Sequence, residues 1–242
     1  MISVVTFDLW GTLIKNVSYK EDRLMMLIDI LKSNNINISY ETLEKAYKVM
    51  NNYLDTVRHS ENNRFVTQHE RMNYLIKECL GINISIKLQN EILVKFQAVV
   101  LNNPPPLLDN VNYVLEELSS KYTLAIISDT GLTSSKTLRQ VLDLYGILKY
   151  FSFLIFSDEV GFNKPHPLMF SSILNYKKVC LPEVIHIGDL LDTDIMGAKS
   201  FGINAIWINQ KGLKDYSSIE LQPDFEAVDL NEVLTILCNK EQ

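Results

Sequence analysis

The chain has 242 residues, 47% of them apolar and 21% charged, enough for one large domain or two smaller ones of ordinary soluble composition. A formal net charge of −6 and the lack of a long Lys/Arg run argue against a nucleic-acid surface, since phosphate backbones attract basic fields. No stretch approaches the ~18 uninterrupted apolar residues of a membrane span, and the first apolar run is broken by Asp8, so no signal peptide is expected and the chain reads as cytoplasmic.

The opening run SVVTFD, Ser3 to Asp8, reads as a buried strand that ends on a carboxylate, with turn residues Gly11 and Thr12 just beyond. From about 15 to 103 the pattern changes. YKEDRLMMLIDILKSNN, YETLEKAYKVMNNYLDTV, HERMNYLIKECLG and KLQNEILVKFQAVV carry apolar residues at helical spacing and few strand signals. NNPPPLLDN ends the run, because prolines in series cannot continue a helix. Within this stretch Arg23, Arg64, His69 and Arg71 could meet a substrate anion, although such residues read equally as solvated helix faces. Tyr53, Phe65 and Tyr74 read as packing.

Further on, LAIIS (Leu124–Ser128), FLIFS (Phe153–Ser157), VIHIGD (Val184–Asp189) and NAIWIN (Asn204–Asn209) read as buried strands. Helical patterns lie between them near 133–145, 167–176 and 192–202. The alternation predicts an α/β fold, a doubly wound parallel sheet built from residues 1–14 and 104–242, with an all-helical domain inserted at 15–103. Cys79, Cys180 and Cys238 form no CxxC pair and read as reduced and buried. His59, His69, His166 and His186 show no metal-ligand spacing.

Ligands of an open parallel sheet bind outside the carboxyl ends of its strands, where the strand order reverses. The apolar runs end at Asp8, at Ser128 and Asp129, and at Asp189, and Lys164 follows FSDEVGFN in the connection after the third. Any one of these is explained by capping or by a turn. Together they define a polar edge.

FDLWGTL, IISDTG, GFNKPHPLMF and IGDLLDTDIMGAKSFG resemble, in order, the four motifs of the haloacid dehalogenase superfamily. One subgroup of that superfamily carries a helical cap after the first motif, where the insertion falls here. The resemblance implies a Rossmann-like core and a hydrolase in which Asp8 is the nucleophile of a covalent aspartyl intermediate. A carboxylate approaching a phosphate dianion is repelled by about 1 kcal/mol per pair of unit charges at ~4 Å in water. A cation such as Mg²⁺ offsets this, and the resemblance implies Asp8, Asp189 and the main-chain carbonyl of Trp10 as its protein ligands. Asp194 fits the second acid of the GDxxxxD pattern, in the outer metal shell or holding Lys164, and Asp192 falls out of step with it. Ser128 would donate to the phosphoryl oxygens, and Lys164 would neutralise their charge and orient Asp8. Main-chain N–H groups around Leu9 to Gly11 and at Asp129 would complete the cradle, with Gly11 allowing the close turn and Thr12 capping it.

Trp10 divides the reading. The phosphatases of the family that the motifs resemble usually have a second aspartate there, which protonates the leaving oxygen; the 2-haloacid dehalogenases of that family have an aromatic residue, usually Tyr, and need no metal. Trp10 therefore points to dehalogenation. Asp189 points to a metal, Asp129 replaces the dehalogenases' Asn, and Phe170 replaces their Tyr. Carboxylates gathered in one cleft repel one another unless a divalent ion is present, so a Mg²⁺-dependent phosphatase of a small phosphorylated metabolite is the favoured reading. A metal-independent dehalogenase is the alternative, and a non-catalytic binding module is the third. A monomer and a homodimer are both compatible with the sequence.

Overall fold

The computed structural model of the protein describes residues 1–176, 178–210, 212 and 222–239. Two compact units divide the chain. One consists of Met1–Asn16, Pro105–Asp129 and Leu142–Gln242, the other of Val17–Pro104 and Thr130–Val141.

The first unit is built on six strands, β1 (Val4–Phe7), β2 (Thr123–Ser128), β3 (Phe151–Phe156), β4 (Val184–Gly188), β5 (Asn204–Ile208) and β6 (Phe225–Ala227). They pair in parallel in the order β3-β2-β1-β4-β5-β6. The chain works outward from β1 to β3 and then returns to the other side of β1 for β4, so β1 and β4 flank the switch point of a doubly wound sheet. VVTF and VIHIG are buried at every position, as expected of strands covered on both faces. Val4, Ile127, Ile155, Val184 and Trp207 pack there with Met169, Phe170 and Ile173 of the helix Pro167–Tyr176.

Four helical segments make up most of the second unit: Lys20–Ser33, Tyr40–Ser60, Gln68–Asn73 with a π-helical continuation over Tyr74–Cys79, and Ile86–Asn102. Their starts are fixed by capping. Ser39 and Ser85 accept from the backbone N–H of Thr42 and Leu88, and Thr67 forms a reciprocal capping box with Glu70. Leu24, Leu27, Leu43, Met50, Ile92 and Phe96 form the core of this unit.

Thr130–Val141 groups with the helical insertion, whereas the sequence places everything after residue 103 with the sheet. The reason lies in side chains. Leu132 packs into the helical core, Gln97 donates to the Leu132 carbonyl at 2.7 Å and accepts from the Ser134 N–H at 2.9 Å, and Arg23 donates to Thr133 Oγ1 at 2.9 Å. None of these pairings is visible as periodicity. The helices Val111–Ser119 and Leu230–Asn239 and the three-residue β6 are further elements that the apolar runs do not announce. The cysteines correct an expectation: all three are free, but Cys79 and Cys238 are only partly buried and Cys180 is exposed, at the turn before Leu181. Among the described residues no helix is long and apolar enough to cross a membrane.

Candidate active site

Asp8 follows β1 directly, and its backbone N–H donates to the Ile187 carbonyl of β4 at 2.8 Å, which places it at the switch point. The chain then turns within a few residues. Gly11 N donates to Ile14 O at 2.7 Å, and Leu13 N and Ile14 N both donate to Leu9 O at 2.9 Å. Gly11 has φ +74°, and a Cβ there would lie 2.2 Å from Asp189 Oδ2, so both torsion and space demand glycine. Thr12 does not cap this turn as expected. Its Oγ1 is buried without a hydrogen-bond partner among the described residues, and backbone bonds hold the turn instead. Trp10 is half-buried and forms a bridge with Ile14.

Ser128 ends β2 and is fully buried, its Oγ 3.4 Å from the Asp129 carbonyl. Asp129 Oδ1 accepts from the Lys164 backbone N–H at 2.9 Å, which brings the start of the Lys164 loop to the end of β2. Lys164 is 2% exposed, and its ammonium donates to Asp8 Oδ1 at 2.5 Å, Asp194 Oδ1 at 2.5 Å and Ile127 O at 3.1 Å. These acceptors engage all three ammonium protons and hold the side chain as a fixed positive charge.

Asp194 is engaged through both oxygens. Oδ1 takes Lys164 Nζ and lies 3.2 Å from His186 Nε2, while Oδ2 accepts from Leu190 N at 3.1 Å. Gly188 makes room for it, since a Cβ there would come 2.3 Å from Asp194 Cγ. Asp192, two residues earlier, is exposed. Asp189 is different. Its Oδ1 is buried with no hydrogen-bond partner among the described residues, and its side chain borders a cavity of about 430 Å³ lined also by Gly11, Lys15, Asn16, Trp207 and Gln210.

Electrostatics separates the acids. Burial works against ionisation of Asp194, yet the Lys164 ammonium and the His186 hydrogen bond hold its carboxyl well below the usual range. Burial also opposes the charge on Lys164, but Asp194, Asp8 and Asp129 keep it ionised well above its ordinary range. Asp8 is raised by burial and by the Asp194 charge against the pull of Lys164. Burial and then the Asp8 and Asp194 charges push Asp189 up to about 7. One carboxylate oxygen from each of Asp8, Asp189 and Asp194 lies within 4.8 Å of the others. An all-oxygen set with one orphaned buried atom fits a hard divalent cation such as Mg²⁺, and of the three acids Asp189 has the oxygen that no described side chain or backbone group engages.

In the helical unit, Arg64 pairs with Glu61 and Glu70, and Arg71 donates to Val66 O at 2.8 Å and covers the Phe65 ring. His69 is exposed. Tyr53 and Tyr74 stack on one another at 3.8 Å, and Phe65 is buried. Arg23 departs from the solvated-face reading, being 6% exposed between Tyr19 and Phe96, and burial lowers its pKa to about 10. Phe170 belongs to the core of the first unit, edge-on to His186. His186 itself, with its contact to Asp194, is the site residue that spacing does not reveal.

A family model described as haloacid dehalogenase-like hydrolase matches residues 5–208. A glyceraldehyde 3-phosphate phosphatase of Methanothermobacter thermautotrophicus is 29% identical over 217 residues, 87% of each chain. A protein of the same name from Methanocaldococcus jannaschii is 25% identical over 239 residues, covering 99% of this chain and 98% of its own. Among solved structures, a 2-haloacid dehalogenase from Pseudomonas syringae pv. tomato superposes with a TM-score of 0.75 over 99% of both chains at 23% identity, a likeness of fold alone.

Proposed function

The chain belongs to the haloacid dehalogenase-like hydrolases, and on that premise we propose that it is a Mg²⁺-dependent phosphatase of small phosphorylated metabolites, acting in the cytoplasm. The orphaned Oδ1 of Asp189, beside the nucleophile candidate Asp8, carries this reading. A metal-independent dehalogenase has no use for a carboxylate there. The phosphatase names of relatives matched over most of their length support the same choice.

An Asp8 carboxylate oxygen bonds to phosphorus as the bond from phosphorus to the leaving oxygen breaks, and that oxygen keeps the electron pair. Water then attacks phosphorus as the bond from phosphorus to the Asp8 oxygen breaks, freeing inorganic phosphate, regenerating the Asp8 carboxylate and releasing one proton, which neutralises the departed anion. Lys164, fixed between Asp8 and Asp194, sets the orientation of the nucleophile and holds a positive charge beside it. The Ser128 hydroxyl and the main-chain N–H groups at 9–11 and 129 receive the phosphoryl oxygens. Asp8, Asp189 and the Trp10 carbonyl would hold Mg²⁺, which when bound screens the carboxylates from the phosphoryl charge. Trp10 offers no acidic proton, so the leaving oxygen departs as an anion, and acyl and aryl phosphates are the preferred class.

Incubation with acetyl phosphate, p-nitrophenyl phosphate and 2-chloropropionate, with Mg²⁺ and with chelator, tests the reading. Phosphate release that needs Mg²⁺ is expected. Halide release that survives chelation would establish the dehalogenase, the reading that Trp10 favours, and neither product would leave a binding module.

A further inference from the structure

Below the charged edge lies a polar chain that the reaction above does not use. Thr6 of β1 and His186 of β4 are register partners, and both are completely buried. Two fully buried polar side chains at the centre of the sheet are costly unless each is hydrogen-bonded. His186 Nδ1 lies 2.8 Å from Thr6 Oγ1, and its Nε2 lies 3.2 Å from Asp194 Oδ1. The Phe170 ring stands edge-on to the imidazole at 5.3 Å and limits its rotation.

The network fixes where the imidazole proton sits. Thr6 has one hydroxyl proton and two acceptors in reach, His186 Nδ1 at 2.8 Å and Ile185 O at 3.3 Å. A proton on Nδ1 would turn the bare lone pair of Nε2 toward the Asp194 carboxylate. A proton on Nε2 gives a hydrogen bond to that carboxylate and leaves Nδ1 to accept from Thr6 at the shorter distance. Burial keeps the ring neutral, so one tautomer must serve.

We propose that Thr6 and His186 are positioning residues for the hydrolysis: the Thr6 hydroxyl holds His186 in its Nε2–H tautomer, and that N–H fixes Asp194 Oδ1 where it receives Lys164 and so aligns Asp8. The inference rests on the nucleophilic reading of Asp8. Neither residue touches substrate or ion; both act through Asp194.

Nitrogen NMR of labelled protein, with His186 assigned by loss of its signals in His186→Gln, tests the tautomer directly. Nε2 is expected to be protonated and Nδ1 bare in the wild type, and Thr6→Val is expected to disturb that pattern while Thr6→Ser preserves it. On acetyl phosphate, His186→Leu should lower kcat about 10–100-fold, the range typical of outer-shell partners. KM and the Mg²⁺ half-saturation point should stay within about twofold. His186→Gln, which keeps an N–H near the Nε2 position, should recover most of the rate. Thermal melts ensure that folded protein is compared. A wild-type ring protonated at Nδ1, or His186→Leu with an unchanged kcat, would overturn the proposal. If the wild type releases no phosphate, the phosphatase reading fails instead, and the tautomer signal alone decides the relay.

Discussion

Gly11 and Asp189 approach each other so closely that a single methyl group on residue 11 would come within 2.2 Å of an Asp189 carboxylate oxygen. The turn after β1 and the acid after β4 are therefore one construction, although 178 positions separate them in the chain. Gly11→Ala should cost about 1–2 kcal/mol for the left-handed backbone alone and should also displace Asp189, raising the Mg²⁺ concentration needed for activity. Gly146 has φ +67° and open space around it, so Gly146→Ala should show the backbone cost without the change in Mg²⁺ requirement. Denaturant melts and Mg²⁺ titrations of activity on the two variants check this.

Lys164 sits between two buried carboxylates, and its removal is the severest single change to the site. Lys164→Met would leave Asp8 and Asp194 facing each other without a cation and should cost about 3–5 kcal/mol of stability. Asp8→Asn leaves the Lys164–Asp194 pair intact and should cost less, while abolishing turnover. Urea unfolding of both variants provides the comparison, and equal losses would contradict the charge balance described here.

The fold and most of this edge are legible in the sequence, because a buried parallel strand is an apolar run and the residue that stops it stands at the sheet's carboxyl edge. Asp8, Ser128, Asp129 and Asp189 are found in that way, and Lys164 in the connection after the third run. Thr6 and His186 are not found. Their meeting depends on the pairing of β1 with β4 in one register, and a histidine inside VIHIG carries no spacing signal. The attachment of Thr130–Val141 to the helical unit is hidden for a similar reason, since it rests on the amide of Gln97 and the burial of Leu132. Thr12 misleads in the opposite direction, a good capping residue whose hydroxyl caps nothing among the described residues.

Trp10 predicts substrate preference. With no acid to protonate an alkoxide, alkyl phosphates should turn over far more slowly than acetyl phosphate. Trp10→Asp should narrow that gap, within the ~10²–10⁴ that general acid catalysis is worth. The ratio of kcat/KM for acetyl phosphate to that for an alkyl monoester, in wild type and variant, is the quantity to measure; an unchanged ratio would remove Trp10 from the explanation.

Asp189 sets a pH dependence. Its carboxyl lies at about 7 in the metal-free fold against an ordinary 3.8, so between those values the folded protein keeps a proton that the unfolded chain has lost. That contribution to stability is complete below about pH 4 and disappears as pH rises through 7. Mg²⁺ would compete with that proton for the same carboxylate, so its half-saturation concentration should fall by roughly tenfold for each pH unit gained up to 7 and level off above it. Melting temperatures without metal should fall over the range in which Mg²⁺ binding strengthens.

The central claim is that Asp8 and Asp189 jointly hold a divalent ion beside the nucleophile. Calorimetric titration of Mg²⁺ at pH 8 into wild type and Asp189→Asn addresses it most directly. One saturable site in the wild type, lost in a folded Asp189→Asn, is the predicted result. Equal binding by the two proteins, or no binding by the wild type, would contradict the account.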